Sequence, residues 1–350
     1  MAVRKTPGDY PLADFRQDIA QNRISNLYIF WGEETYLRDY YVSELVKKLA
    51  DGDESVVRLL NGKECTPQAL SDAVLSCPFL SERSLVLVRD VDILSPDAKL
   101  AAAAPDILTS IPPETCLVFI LGDSEPGGSK PNKKIAEAFT KYGQSICFAR
   151  PAPDEFNRWI RRRFAALGKN CSVAEATYLS GLCGGLMFSA IPEIEKTAAF
   201  AKGEVITRED IDAVVIPVVE TVIFNLTDAV AARDVSRAEA QLEILMKQKL
   251  RREEAVVQLG AAMRRLYAAR VTMDSGRGKN EYMAAFGVRS PYAADIHMRQ
   301  ARAFSLERLR EAVILCAEAE QKGFFGRLND RVELDTLIFS LCGAGKHGQD

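Results

Sequence analysis

The feature that most constrains the fold is a series of five short apolar runs in the first 150 residues, each followed by a segment with helical periodicity. Each run has four or five residues, which is the length of a strand rather than of a helix. Strands that are apolar throughout and alternate with helices are typical of a parallel sheet with helices on both faces. The sequence therefore predicts an α/β domain with a five-stranded parallel sheet over residues 1–150. The runs are Leu27–Phe30, Val56–Leu60, Leu85–Val88, Leu117–Leu121 and Ser145–Phe148.

The first strand–turn–helix unit has the layout of a nucleotide-binding domain but not its residues. The run Leu27–Phe30 is followed by a glycine turn and by helical periodicity from Tyr36 to Ala50. A phosphate-binding loop would have the pattern G-x-x-x-x-G-K-[ST], in which backbone N–H groups surround the phosphates and a lysine contacts them. This turn is Gly32-Glu33-Glu34-Thr35-Tyr36, with two carboxylates and neither a second glycine nor a lysine. The sequence therefore predicts a nucleotide-binding scaffold without its phosphate site.

After Asp154 the strand pattern gives way to helical periodicity. Prolines near residue 151 and at Pro217 mark two joints, so we expect a small helical domain over 151–216 and a larger helical domain over 217–345. The small domain opens with the predicted helix Phe156–Leu167, which carries four arginines. The side chains expected on its buried face are Phe156, Trp159, Ile160 and Leu167.

Composition excludes several classes of protein. A net charge of −3 and a pI near 5.7 argue against binding of nucleic acid along the whole surface, although a local basic patch is compatible with them. The eight cysteines contain no C-x-x-C pair, which predicts free thiols in a reducing compartment rather than disulfides or a zinc site. With only His297 and His347 present, a catalytic triad is not expected either. No apolar leader and no run of 18 apolar residues occurs, so we expect a cytoplasmic protein without a membrane span.

Two charged clusters invite comparison with a nucleotide site. Asp90 and Asp92 follow the third apolar run, where a magnesium-binding carboxylate would lie. Lys130, Lys133 and Lys134 follow a glycine pair and suit either an anion site or a solvated loop. Carboxylates at a sheet edge near helix N-termini are the more ordinary interpretation of the aspartates.

Two further features suit a partner surface. Arg158 and Arg161–Arg163 form either a solvated helix face or a contact with DNA or another partner. Phe79 and Leu80 lie just after Pro78, between a predicted helix and a predicted strand. These two large apolar side chains either fold back over the sheet or form an exposed plug for a partner's pocket.

Five segments in order resemble the δ subunit of the bacterial DNA polymerase III clamp loader. They are spread over most of the chain, and no one of them is specific by itself. They are Tyr28–Glu34 with Tyr36-Leu37; Pro78–Arg83 before Leu85–Val88; Gly184-Gly185 leading to Ile191–Lys196; Val222–Ala229; and Ser290–Ala293 with Gln300–Arg302.

The resemblance implies an AAA+-like first domain, a helical lid domain at 151–216 and a helical collar domain at 217–345. Members of the family bind the ring-shaped sliding clamp, the β subunit, and open one of its interfaces during DNA replication without hydrolysing ATP. The collar holds them to the ATPase subunits and to δ′, and primer–template DNA is met indirectly, through the complex. Such a subunit belongs to the polymerase III holoenzyme, a DNA-directed DNA polymerase (nucleotidyltransferase) complex, and has no catalytic, cofactor or metal site of its own.

Transferred residue by residue, Phe79 matches the family's apolar clamp plug, with Pro78 and Leu80 beside it. Two alternatives stay open at the level of sequence. One is a clamp-loader subunit that does not open the clamp. The other is an unorthodox nucleotide-dependent enzyme that uses Asp90 and the lysine cluster.

Overall fold

The computed structural model describes residues 6–50, 56–62, 64–76, 83–95, 100–128, 130–288, 291–323 and 330–343. The chain divides into two compact units, Met1–Ala152 and Pro153–Asp350. The predicted subdivision of the second unit near residue 217 stays a prediction.

The first unit contains the predicted five-stranded parallel sheet, with strand order β2-β3-β4-β1-β5. Its strands are β1 Leu27–Trp31, β2 Val57–Asn61, β3 Ser84–Arg89, β4 Thr115–Ile120 and β5 Gln144–Cys147. Its helices are α1 Leu12–Ala20, α2 Thr35–Ala50, α3 Pro67–Leu75, α4 Ala104–Thr109 and α5 Lys133–Tyr142.

Helices cover both faces of the sheet, as the apolar strands predict. Tyr28 and Phe30 of β1 pack in one core with side chains of α1 and α2. Leu27 and Ile29 of the same strand pack in the opposite core with α3, α4 and α5. Successive side chains of a strand point to opposite faces, so a strand buried on both faces must be apolar at every position.

Strand β2 departs from the expectation of two covered faces. It pairs only with β3 among the described strands and lies at the edge of the sheet. Leu59 is 52% exposed and Arg58 is also exposed. The helices cover this edge strand only in part, so Leu59 is exposed while Val57 and Leu60 still pack against the two cores.

The second unit is helical. Its first four helices are α6 Pro153–Ala166, α7 Val173–Leu182, α8 Met187–Phe200 and α9 Arg208–Val214. The others are α10 Val219–Ala232, α11 Val235–Lys247, α12 Arg252–Asp274, α13 Lys279–Phe286, α14 Pro291–Ala301, α15 Leu306–Gly323 and α16 Asp330–Cys342. The helices α10 to α16 share one apolar core, and α12, with 23 residues, packs against α14 and α15 within it.

Seven of the eight cysteines lie in the described part of the chain, and all seven are free thiols, as predicted. Burial raises the pKa of Cys116 to about 12 and that of Cys147 to about 11. Such thiols are protonated at neutral pH, which makes them poor nucleophiles.

Within the described residues, no single helix is long and apolar enough to cross a membrane. The helices 208–214 and 219–232 reach the required length and apolar composition only when they are counted together, and the pair is bent by 110°.

Candidate functional site

The turn after β1 uses its backbone donors inside the fold. The N–H group of Gly32 donates to the carbonyl of Gly122 over 2.9 Å, and that of Glu34 donates to the carbonyl of Phe148 over 2.9 Å. In a phosphate-binding loop the corresponding N–H groups point at the ligand. Here two of them are already paired with backbone oxygens.

Carboxylates occupy the same turn. Glu33 forms a half-buried ion pair with Arg150, whose Nη2 and Nε lie 3.1 and 3.2 Å from Glu33 Oε2. The neighbouring side chain of Glu34 is fully buried. Their oxygens are acceptors, whereas a phosphate would need donors. The turn is therefore stabilised by contacts within the fold and is unsuited to bind an anion.

Asp92 has a structural role at the end of β3. Its Oδ1 accepts the N–H of Leu94 at 3.1 Å, and its Oδ2 accepts the N–H of Gly127 at 2.8 Å. A carboxylate that accepts two backbone donors stabilises a turn. The neighbouring Asp90 is exposed. In the described part of the chain, no three His, Cys, Asp or Glu residues form a group suited to a metal ion.

The predicted clamp-contacting residues Pro78, Phe79 and Leu80 lie outside the described residues. The structure does describe the residues on both sides of them. Helix α3 ends at Leu75 and β3 begins at Ser84.

One buried side chain links these two elements. The Thr115 hydroxyl donates to the carbonyl of Val74 over 3.0 Å and accepts the hydroxyl of Ser84 at 3.2 Å. Thr115 is 2% exposed, so water cannot replace either bond. The last turn of α3 and the start of β3 are thereby fixed to the same point on β4. The two described segments that flank the predicted plug are therefore held to one residue at the start of β4.

Each of the elements α3 and β2 has one large apolar side chain that is exposed. Leu75 is 57% exposed at the end of α3, and Leu59 of the edge strand is 52% exposed. Arg58 Nη2 donates to the Ser76 hydroxyl over 2.6 Å, which ties the edge strand to the residue after α3. Leu75, the last residue of α3, is therefore the exposed apolar side chain next to the described end of the segment that leads to the predicted plug.

In the second unit, two segments that carried the resemblance meet in the core. The side-chain nitrogen of Gln300, on α14, lies 3.0 Å from the carbonyl of Phe224 and 2.8 Å from both Thr227 Oγ1 and Asp228 Oδ1. Gln300 is 7% exposed. A buried amide with acceptors on one helix fixes the pairing of α14 with α10.

The arginines of α6 divide into two groups. Arg158, Arg161 and Arg162 line a groove of about 610 Å³. The guanidinium of Arg163 lies instead over the ring of Trp159, 5.6 Å from its centre. The predicted burial of Leu167 is wrong, because α6 ends at Ala166 and Leu167 is 47% exposed; Phe164 is the buried side chain.

Comparisons with known proteins give three results. Residues 220–341 match the family model described as DNA polymerase III delta subunit, C-terminal domain. The solved structure of Bacillus subtilis DNA clamp loader delta protein (YqeN) is similar over 95% of this chain and 99% of that chain, with a TM-score of 0.71 and 20% identity. The RuvB Holliday junction branch migration motor of Thermotoga maritima matches 62% of this chain and 70% of its own, with a TM-score of 0.38 and 12% identity. None of the curated protein sequences matches this chain.

The similarity to YqeN shows that the two chains share a fold, and the predicted α/β domain with a five-stranded parallel sheet followed by helical regions is confirmed. The family model covers the helices from α10 to α16. The resemblance of the chain to a clamp-loader delta protein is confirmed, and residues 220–341 match the model of the C-terminal domain of DNA polymerase III delta subunits.

Proposed function

We propose that this chain is a clamp-loader delta subunit that binds the ring-shaped sliding clamp and opens it for loading onto primed DNA, without hydrolysing ATP. The observation that carries the proposal is the delta C-terminal domain at residues 220–341. The turn after β1 supports the absence of ATP chemistry, because its N–H groups at Gly32 and Glu34 donate to carbonyls and its Glu33 is paired with Arg150.

The energy for opening comes from binding. A subunit without its own nucleotide chemistry shifts a closed ring toward an open ring only by its differential affinity for the two states. In the proposed mechanism Phe79 inserts into an apolar pocket of the clamp, with Pro78 and Leu80 beside it. The end of α3 and the start of β3, which Thr115 holds together, then act as the rigid support from which the neighbouring ring interface is distorted.

The rest of the chain serves to assemble the clamp-loader complex. We propose that residues 151–216 form a lid domain and that the collar at 217–345 binds the ATPase subunits and δ′. Primer–template DNA is engaged by the complex as a whole, in the cytoplasm. The chain then serves the polymerase III holoenzyme and contributes no catalytic residue of its own.

The test is clamp binding by a Phe79→Ala variant. Removal of a central aromatic anchor costs about 2–4 kcal/mol of binding, so we expect the dissociation constant for the sliding clamp to rise roughly 30- to 1,000-fold. Surface plasmon resonance with immobilised clamp measures this directly. Phe188→Ala is the matched control, since Phe188 is 70% exposed and lies in the second unit.

An unchanged affinity after Phe79→Ala, or an equal loss in Phe188→Ala, would contradict the role of the plug. Wild-type chain that does not bind the clamp at all would overturn the proposed function as a whole.

A further inference from the structure

We propose that the groove beside α6 is a binding site for the phosphodiester backbone of DNA, which gives this chain a direct DNA contact of its own. The groove lies entirely within the second unit. Its cationic side chains are Arg158, Arg161, Arg162 and Lys169. The proposal goes beyond clamp opening and does not depend on it.

The pattern of α6 places the arginines on one face. Phe156, Ile160 and Phe164 are fully buried and turn the opposite face into the core. Arg158, Arg161 and Arg162 have the i, i+3, i+4 spacing, which puts them side by side on a helix surface. From Arg158 to Arg162 the helix rises about 6 Å, so the guanidinium groups can contact successive phosphates rather than a single one.

Two of the cationic groups are held in place without losing their charge. Arg161 Nε donates to the carbonyl of Cys171 over 3.0 Å, which leaves both terminal nitrogens of its guanidinium for a ligand. Lys169 Nζ donates to the carbonyls of Ala201 and Gly203, each at 2.7 Å. Carbonyl partners orient a cation but do not neutralise it, so both side chains are pre-organised donors.

The groove carries excess positive charge. Among the described residues that line it, Glu204 is the only carboxylate, against four cationic groups. Of the ion pairs within the described part of the chain, none involves Arg158, Arg161 or Arg162. Arg163 and Trp159 form a separate pair outside it. A cluster of arginines without carboxylate partners attracts an anion from outside the chain.

The geometry favours a phosphodiester strand over an acidic peptide. The planar guanidinium fork binds phosphate oxygens with two hydrogen bonds. A DNA strand has one negative charge on every nucleotide, and in a duplex these charges lie about 3.4 Å apart along the helix axis. A row of arginines can therefore bind a strand of any base sequence. The chain as a whole has a net charge of −3, so a contact with DNA requires a local excess of positive charge such as this groove provides.

The experiment is fluorescence anisotropy of a labelled oligothymidylate strand titrated with the full chain. The variant is Arg158→Ala/Arg162→Ala, because both side chains are exposed and their removal leaves the Arg161 and Lys169 contacts intact. We expect binding about ten- to thirtyfold weaker at ~0.1 M salt, with a log–log salt dependence shallower by about 1.4. The control Arg237→Ala/Arg277→Ala removes the same charge from exposed arginines outside the groove and is expected to bind like wild type.

A second variant, Arg158→Lys/Arg162→Lys, keeps the charge and loses the forked geometry. We expect it to restore the salt dependence and to recover only part of the affinity. Equal affinity of the alanine variant and wild type, equal weakening in the control, or no DNA binding by wild type would overturn the inference. Tighter binding of a polyglutamate peptide than of the oligonucleotide would also overturn it, in favour of an acidic protein partner. Clamp binding by the same variants is expected to be unchanged, which separates this inference from the proposed function.

Discussion

At the scale of single residues, Gly32 shows why the turn after β1 has its composition. Its φ is +123°, a value that side-chain-bearing residues avoid, and an added Cβ would lie 2.4 Å from the carbonyl oxygen of Phe148. The N–H of Glu34 donates to that same carbonyl. The glycine therefore permits close approach of two backbone segments, which is a structural need and not a ligand-binding one.

We expect Gly32→Ala to lower the free energy of unfolding by about 2 kcal/mol or more, because the new methyl group overlaps a backbone oxygen and the φ is strained. Urea denaturation measures the change. Gly181→Ala is the matched control, since Gly181 lies on α7 and an added Cβ there meets no atom within 4 Å. That substitution should be neutral or slightly stabilising. Equal stability of the Gly32 variant and wild type would contradict the packing at the turn.

His297 makes the stability of the second unit depend on pH. Burial lowers its pKa from 6.5 to about 4, and the nearby Arg265 acts in the same direction. Between these two values the unfolded chain binds a proton that the folded chain excludes. The free energy of unfolding therefore falls as the pH decreases from about 6.5 to 4.

We expect this loss to be about 2 kcal/mol after allowance for the half-buried ring, and to disappear in His297→Gln. The control is His347→Gln, the only other histidine. Urea denaturation at a series of pH values measures it. The same pH dependence with and without His297 would show that other groups govern it.

At the scale of secondary-structure elements, Thr115 connects three of them. Its hydroxyl joins the end of α3 at Val74 and the start of β3 at Ser84 to β4. The residues proposed to contact the clamp follow α3 and precede β3, so this connection fixes the described residues on both sides of them.

We expect Thr115→Val to lower the free energy of unfolding by about 1–3 kcal/mol, since it leaves a buried carbonyl and a buried hydroxyl without partners. Clamp affinity should fall several-fold although Phe79 is intact. Thr109→Val is the control, because Thr109 is exposed and its hydroxyl bonds only to carbonyls of its own helix. If Thr115→Val changes neither the free energy of unfolding nor the clamp affinity, the proposed role of this connection is wrong.

The strands were predictable because burial on both faces imposes an apolar side chain at every position. In β1, Tyr28 and Phe30 enter one core while Leu27 and Ile29 enter the other. Strand order was not predictable, because it depends on pairing between runs far apart in the chain. The exposure of Leu59 follows from that order, which puts β2 at the edge of the sheet.

The basic groove was predictable only in part. The spacing of Arg158, Arg161 and Arg162 indicated a common face, but their neighbours come from elsewhere in the chain. A bridge between Asn170 and Val205 brings Glu204 next to the segment after α6. The misplaced Leu167 has a local cause: Gly168, with a φ of +72°, ends the helix before another turn can bury that side chain.

At the scale of the whole molecule, the two units have separate tasks. The first unit has a five-stranded parallel sheet, and the turn after β1 uses the N–H groups of Gly32 and Glu34 in internal hydrogen bonds. In the second unit, residues 220–341 match the model of the delta C-terminal domain. Under the proposed function, the chain opens the clamp through binding energy alone.

The most direct test is release of the sliding clamp from covalently closed circular DNA by the purified chain without nucleotide. A protein that opens the ring through differential affinity should release labelled clamp at a rate that rises with its concentration and is the same with and without ATP. Phe79→Ala should abolish this release, and Phe188→Ala should not. Release that requires ATP, or clamp binding without any release, would contradict the central claim that this chain opens the clamp by binding energy.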